Sequence, residues 1–482
     1  MRALVWFRAD LRVDDNPALA AACRQATEGV IGVFLIAHEQ WREHDWGDLR
    51  MDFVRRTLAA LSADLSHLGV PLLVRSAPRF SQATSVLLGV AREHRCEALF
   101  FNREYEVNER ERDEHVTQML ENAGVAVHSS TDQVILRPGA LRTGTGGWYT
   151  VFTPFRKAWL SRVAEDGLGD VESPRRITRP VTVKSDPVPP AIPGFKPVAA
   201  APQERWIAGE SEARSRLERF IEDRIREYHA QRNLPACGGT STLSPYLAVG
   251  AISVRRCLHA AVEANRGRLE ATGSGPASWI NELIWREFYR NILVGFPRVS
   301  MGRAFRRETE AIRWRENESD FQAWCEGRTG FPIVDAAMRC LRETGWMHNR
   351  LRMIVAMFLT KDLFLDWRLG ERHFMRHLID GDLASNNGGW QWSASTGTDA
   401  APYFRIFNPT EQSRTCDPNG AFIRQWVPEL RDLDDRVIHD PSSAPPLMMG
   451  RIDYPAPIVD HRAARERVLR AFQALKQGEH QS

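Results

Sequence analysis

The sequence predicts an N-terminal α/β domain with a doubly wound parallel sheet, joined by a long linker to an all-α domain. Three observations carry that prediction. Over about the first 130 residues short apolar runs alternate with helical stretches, which is the pattern of a parallel sheet covered on both faces. Residues Pro174 to Pro202 are rich in Pro, Val and Ser with little periodicity, which marks a linker. After Trp206, helix follows helix. The boundaries fall at residues 1–131, 132–205 and 206–470. A chain of 482 residues is in any case too long for one typical core.

Taken in order, Ala3 to Phe7 reads as a short buried strand, and Asn16-Pro17 after it as a helix start with Pro at the first position. Val30 to Ile36 is the second strand. Met51, Val54, Leu58, Leu61, Leu65 and Leu68 then follow helical spacing. Leu72 to Val74, Ala98 to Phe101 and Val125 to Val127 complete the sheet. No Gly-x-Gly-x-x-Gly follows the first strand, so a dinucleotide site of that kind is not expected. Asn108 is placed to cap a helix beginning at Glu109. Phe152-Thr-Pro-Phe155 and Trp159 form one helix that packs against the second domain. Leu217, Phe220, Ile221 and Ile225 give helical spacing between Ser211 and Tyr228, and a charged helix follows Pro457.

Composition narrows the function classes. The net charge of +3 is close to neutral, yet only five of the 64 basic residues are Lys. An Arg excess suits bidentate phosphate binding, and genomic base composition explains it equally well. The seven Cys form no C-x-x-C and no spacing with His, which argues against a disulfide framework and a zinc site. A reducing cytoplasm fits. There is no signal-like segment and no run of eighteen apolar residues, so a soluble, intracellular protein without a membrane is expected; a monomer without an obligate protein partner is expected as well.

Four motifs point to a ligand. Gly238-Gly-Thr240-Ser241-Thr242-Leu243-Ser244-Pro245 is a hydroxyl-rich turn leading into a helix start, a pattern that can cradle phosphate with backbone N–H groups. Trp279, Glu282, Trp285 and Arg286 stand at i, i+3, i+6 and i+7, one helical stripe. A purely apolar role does not explain a carboxylate and a guanidinium there, because unpaired buried charge is costly. Asn349, Arg352 and Met353 share another helical face. The densest stretch is Asp380-Gly-Asp-Leu-Ala-Ser-Asn-Asn-Gly-Gly-Trp-Gln-Trp392, in which the Asn-Asn-Gly-Gly run reads as a turn. Two carboxylates, two amides and two indoles so close together suit a planar ligand with polar edges.

The stretches GWMHNRLRM and DGDLASNNGGWQWSASTGTDAAPYFRIFNP resemble the flavin-binding heart of the DNA photolyase and cryptochrome family. The resemblance runs from Leu4-Val-Trp-Phe-Arg8 to about Pro457. It implies a Rossmann-like antenna domain followed by an all-α FAD domain. It assigns FAD to Tyr228, Thr240, Ser241, Thr242, Leu243, Ser244, Trp279, Asn349, Arg352 (opposite Asp380), Asp382 and Asn386, the last facing flavin N5. Glu282, Trp285, Asn349, Met353 and Trp392 match positions around the damaged bases, Trp279 and Arg286 match contacts shared with flavin and phosphate, and Arg232, Arg350 and Arg405 match flanking phosphate contacts. Trp314, Trp367 and Trp390 match an electron relay from the surface, although by composition alone each is a packing residue. Asn108 and Glu109, with His44 nearby, match an antenna site, expected to hold 5,10-methenyltetrahydrofolate, with deazaflavin as the other candidate. One departure is Met301, where folate-carrying relatives often have Lys. The implied activity is light-driven repair of cyclobutane pyrimidine dimers in ultraviolet-damaged DNA, by electron transfer from excited reduced FAD to the flipped-out dimer. The alternative is a cryptochrome-type sensor; repair of the (6-4) photoproduct is disfavoured because Asn349 follows His348.

Overall fold

The computed structural model describes residues 1–177, 179–444 and 453–479. The chain folds as two compact units, one comprising Met1–His229, Ser241–Pro297 and Ile379–Asp382, the other Ala230–Thr240, Arg298–Leu378 and Leu383–Ser482.

The first unit is built on a five-stranded, all-parallel sheet in the order β3-β2-β1-β4-β5. Its centre, β1 (Ala3–Phe7), is buried along its whole length, as expected of a parallel strand covered on both faces. β1 pairs with β2 (Val30–Ile36) on one side and β4 (Ala98–Asn102) on the other, with Ala3 opposite both Val30 and Ala98. Strand order therefore reverses between β1 and β4. β3 is longer than its apolar run suggests, Leu72–Ser76, and β5 is Ala126–Ser130 rather than Val125 to Val127. Main-chain pairing of Arg75 and Ser76 with Leu35 and Ile36, and of Ser130 with Asn102, extends β3 and β5 through polar residues that the apolar pattern omits.

Helices start and stop as their capping chemistry dictates. The Asn16 side chain accepts from the Leu19 N–H ahead of Pro17–Gln25. Asp48–Leu68 ends on Gly69 in the left-handed conformation. The helical pattern between Ser211 and Tyr228 is broken: Glu210–Asp223 stops at Arg224, a tight turn follows at Ile225–Glu227, and a short helix at Tyr228–Gln231. That turn lies against the start of Gly275–Gly295, where a Cβ on Gly275 would stand 1.9 Å from the Ile225 carbonyl oxygen. Only glycine fits there.

The described part of the second unit is helical. Its core gathers Trp324, Val334, Leu351, Val355, Trp367 and Trp390. Asp335 is buried in it and accepts from the Thr329 N–H, the Thr329 hydroxyl, the Gly330 N–H and the Tyr454 hydroxyl. The charged helix after Pro457 is His461–Glu479. Among the described residues no helix is long and apolar enough to cross a membrane.

Candidate active site

The hydroxyl-rich turn, of which Ser241 onward belongs to the first unit, is held in an unusual backbone. Thr242 has φ +51°, a region that β-branched residues avoid and that persists where surroundings over-determine it. Its hydroxyl donates to the Ser241 carbonyl at 2.8 Å and accepts from Arg216 Nη1 at 3.1 Å. Ser244 begins a helix of only six residues, Ser244–Val249. Tyr228 and Trp279 are brought together by Phe220, whose ring lies 5.8 Å from the first and 4.9 Å from the second.

The predicted stripe falls on one helix, Gly275–Gly295, with Ser274 as its cap. Trp279 is buried, while Glu282, Trp285 and Arg286 are half-buried. Trp285 stacks face to face on Phe152 at 3.7 Å and 7°, with Phe288 and Tyr289 at its margin. Arg286 donates to the carbonyls of Gln133 and Leu247. Burial and the neighbouring Arg290 pull its pKa down to about 10. Two residues of this helix were not singled out from the sequence. Arg290 pairs with Asp382. Glu287 accepts from the N–H groups of Ile135 and Leu136 and from Trp159 Nε1, and burial still pushes its pKa up to about 7. Their one signal was spacing, at i+8 and i+11 from Trp279.

In the second unit Asn349, Arg352 and Met353 lie on the helix Asn349–Met357, capped by His348 Nδ1, which accepts from the Arg350 N–H. Burial, then Arg352, Arg350 and Arg232, lower the His348 pKa to about 4, so this ring is neutral at pH 7. Arg352 Nε donates to the Met347 carbonyl at 2.8 Å. Arg350 donates to Asn233 Oδ1 at 2.8 Å, and besides burial the charges of Arg232 and Arg405 depress its pKa. Arg232 and Arg350 are half-buried and Arg405 is exposed.

The Asn-Asn-Gly-Gly run is not a turn. It lies inside the helix Leu383–Ala394. Tertiary hydrogen bonds override the turn preference of these residues: Asn386 Nδ2 donates to the Glu371 carbonyl and Asn387 Nδ2 to the Glu371 carboxylate, while within the helix Gln391 Nε2 donates to Asn387 Oδ1. Trp390 is buried and sits on Gly370, where a Cβ would come 2.1 Å from the indole. Its ring meets Phe374 at 5.0 Å and Trp324 at 6.0 Å, both edge-on. Trp367 is buried too, whereas Trp314 is half-buried against Phe364 at 5.1 Å. Met353 and Trp392 are half-buried against the same core.

Two family models match the chain: "DNA photolyase" over residues 3–175 and "FAD binding domain of DNA photolyase" over residues 279–474. A deoxyribodipyrimidine photo-lyase of Salmonella typhimurium is 47% identical over 476 residues, covering 98% of this chain and 99% of its own. The chain belongs to the DNA photolyase family. Among solved structures, a bacterial class III photolyase from Agrobacterium tumefaciens superposes with a TM-score of 0.85 at 36% identity, covering 99% of this chain and 98% of its own. An archaeal photolyase from Sulfolobus tokodaii with two FAD molecules, which imply a novel light-harvesting cofactor in that protein, gives 0.78 at 29% identity, covering 98% of this chain and 100% of its own.

The positions that photolyase resemblance gave to an antenna also meet in the first unit. His44 Nε2 lies 2.9 Å from Asn108 Nδ2, and His44 Nδ1 lies 3.4 Å from Glu109 Oε1. The capping role expected of Asn108 is not realised: the helix is Val107–Asn122, Glu106 stands at its cap, and the Asn108 amide is spent on His44. Burial, then Glu106 and Glu104, raise Glu109 well above the usual carboxylate range. Met301 is 68% exposed.

Proposed function

We propose that this photolyase-family protein repairs cyclobutane pyrimidine dimers in DNA under light. The near full-length identity to a deoxyribodipyrimidine photo-lyase carries the reading, and the Glu282–Trp285 stripe supports it. The residues present suit FAD. The positive-φ Thr242 turn and its hydroxyls match a pyrophosphate, and the fixed Asn386 amide matches a flavin edge. Tyr228, Thr240, Ser241, Thr242, Leu243, Ser244, Trp279, Asn349, Arg352, Asp380, Asp382 and Asn386 would hold it. FAD supplies the light absorption and the transferable electron that no side chain offers.

The chain's own residues then set geometry and field. The Asn386 N–H group is used by the Glu371 carbonyl, so its amide oxygen is the atom offered to a protonated ring nitrogen. Arg352 stabilises negative charge on the ring. A dimer weakens stacking and so lowers the cost of leaving the duplex, as the handling of flipped bases by photolyases illustrates. Phe152 backs Trp285 as a flat, rigid wall for the flipped bases, Trp392 and Met353 add apolar contacts, and Glu282 accepts from a pyrimidine edge. Arg286, committed to two carbonyls, shapes this wall more than it grips a phosphate. Arg232, Arg350 and Arg405 neutralise flanking phosphates without reading sequence. On this reading residues 1–131 form the antenna-binding domain and 206–470 the catalytic one.

The experiment is direct. Chemically reduced, FAD-loaded protein is expected to restore thymines in a dimer-containing oligonucleotide under blue light and not in darkness; no light-dependent repair would sink the proposal. Glu282→Ala removes an acceptor worth about 1.5–3 kcal/mol, so dimer affinity or repair yield is expected to fall about ten- to a hundredfold with FAD retained. Unchanged repair and affinity would take Glu282 out of the site.

For the antenna we favour a folate over a deazaflavin. Ligands of open α/β sheets enter where strand order reverses, here between β1 and β4. That point is closed by side chains: Asn102 Nδ2 donates to Asp10 and to Asn16 Oδ1, and the Arg8 guanidinium lies 4.1 Å from the Trp6 ring and 4.8 Å from Phe101. Burial, with Glu106 and Glu104, favours the protonated form of the Glu109 carboxyl, and a carboxyl can meet a pterin lactam edge with one donor and one acceptor. A near-ultraviolet band is therefore expected beside the flavin bands of the purified protein and is expected to be lost in Glu109→Ala; a red-shifted band surviving that change would favour the deazaflavin.

A further inference from the structure

We propose that Trp324 is a second electron donor to Trp390, forming a buried side branch of the tryptophan relay; this rests on the relay reading of Trp390, Trp367 and Trp314. The indole of Trp324 lies in the helix Glu318–Glu326 and is fully buried, with its ring centroid 6.0 Å from that of Trp390. Among the described residues the ring contacts of Trp390 are with Trp324 and Phe374, and of these only the indole is readily oxidised.

The two indoles differ in what they do with their N–H. Trp324 Nε1 donates to the Val355 carbonyl at 3.1 Å, whereas Trp390 Nε1 is buried without a partner. Oxidation leaves positive charge on the ring and makes its N–H a stronger donor, so a carbonyl acceptor stabilises the oxidised indole selectively. The nearby His373 adds no opposing charge: burial, then His377 and Arg376, lower its pKa to about 3, and its ring stands 5.3 Å from Trp324. Once an electron has left Trp390 for photoexcited oxidised flavin, a second electron passes from Trp324 to Trp390. Trp390 is restored to neutral indole and Trp324 becomes the radical cation; no bond is made or broken. The proton stays, because the amide carbonyl of Val355 is far too weak a base to take it and the ring is closed to water. The branch is therefore reversible. It holds the oxidising equivalent on an indole closed to solvent, whereas Trp314 of the relay is half-buried.

The test blocks the outward route with Trp367→Phe and follows the visible absorption of the protonated indole radical cation after a laser flash on FAD-loaded protein. The signal is expected to decay about tenfold more slowly in Trp367→Phe than in Trp367→Phe/Trp324→Phe, the factor that one hydrogen bond to a charged group implies. Trp324 is a core residue, so a second measurement keeps it in place. Pulsed electron paramagnetic resonance on Trp367→Phe with ring-deuterated tryptophan is expected to show spin on a hydrogen-bonded indole N–H. Equal decay in the single and double variants, both retaining FAD, or spin confined to an indole lacking that hydrogen bond, would overturn the branch. A Trp390→Phe protein that still forms an indole radical normally would instead overturn the relay reading on which it rests.

Discussion

An Asp132→Ala protein is expected to lose about 3–5 kcal/mol of stability, the cost of leaving buried cations without their counter-charge. Asp132 Oδ1 accepts from both Arg12 and Arg255, and the three side chains are 2%, 2% and 10% exposed. Arg255 keeps a second carboxylate, Asp15, and Arg12 keeps the carbonyls of Asp14, Asp15 and Gly250, which places the expected loss toward the lower end. Asp132→Asn preserves shape and one acceptor and is expected to cost less. The same group fixes a pH dependence. Burial by itself raises the Asp132 pKa, but Arg12 and Arg255 override it and hold the carboxyl below its ordinary value. A depressed folded pKa gives stability that is present above the unfolded value of about 3.9 and lost as pH falls through the folded one. Asp132→Asn should therefore flatten the acid limb of the stability curve. Urea unfolding at pH 7 and at acid pH measures both effects. A loss below about 1 kcal/mol in Asp132→Ala would mean that the carbonyls alone satisfy Arg12 and Arg255.

The parts of the fold legible in the sequence were those in which local pattern and tertiary environment agree. β1 and β2 were found to the residue because buried parallel strands are apolar throughout, whereas β5, an edge strand with exposed polar residues, was displaced by one end and shortened. The Asn-Asn-Gly-Gly run misled because its turn preference is local, while the acceptor that holds it helical, Glu371, belongs to another helix. Asn108 misled in the same way, its amide being claimed by His44 rather than by its own helix. At the candidate site, helical spacing predicted which residues share a face, and the structure places Trp279, Glu282, Trp285 and Arg286 on one helix. Spacing could not show that Phe152, far off in sequence, covers one face of Trp285, nor that Trp324 stands beside Trp390. Contacts of that kind are made by packing between elements, and no periodicity along the chain encodes them.

Replacing Trp390 by phenylalanine is expected to separate photoreduction from repair. The change is mild for the fold: Trp390 Nε1 has no hydrogen-bond partner to lose, and phenylalanine keeps the edge-on contacts with Phe374 and Trp324. The part removed is the outer edge of the indole, which lies on Gly370, so a small cavity opens there at a cost of about 1–3 kcal/mol. The electronic change is far larger. Trp390 and Trp367 are both buried, and Trp314 is half-buried. Phenylalanine is much harder to oxidise, and every 1.36 kcal/mol added to a barrier slows a step tenfold, so photoreduction of bound flavin by an external thiol should fall by more than about a hundredfold. Repair by protein first reduced with dithionite should stay close to wild type, because that cycle draws its electron from the flavin and returns it there. The measurement is a pair on the same preparation: flavin absorbance under light with the thiol, and dimer repair after chemical reduction. Normal photoreduction would remove Trp390 from the relay. Loss of both activities with FAD retained would show instead that Trp390, through its seat on Gly370, shapes the flavin site rather than conducting to it.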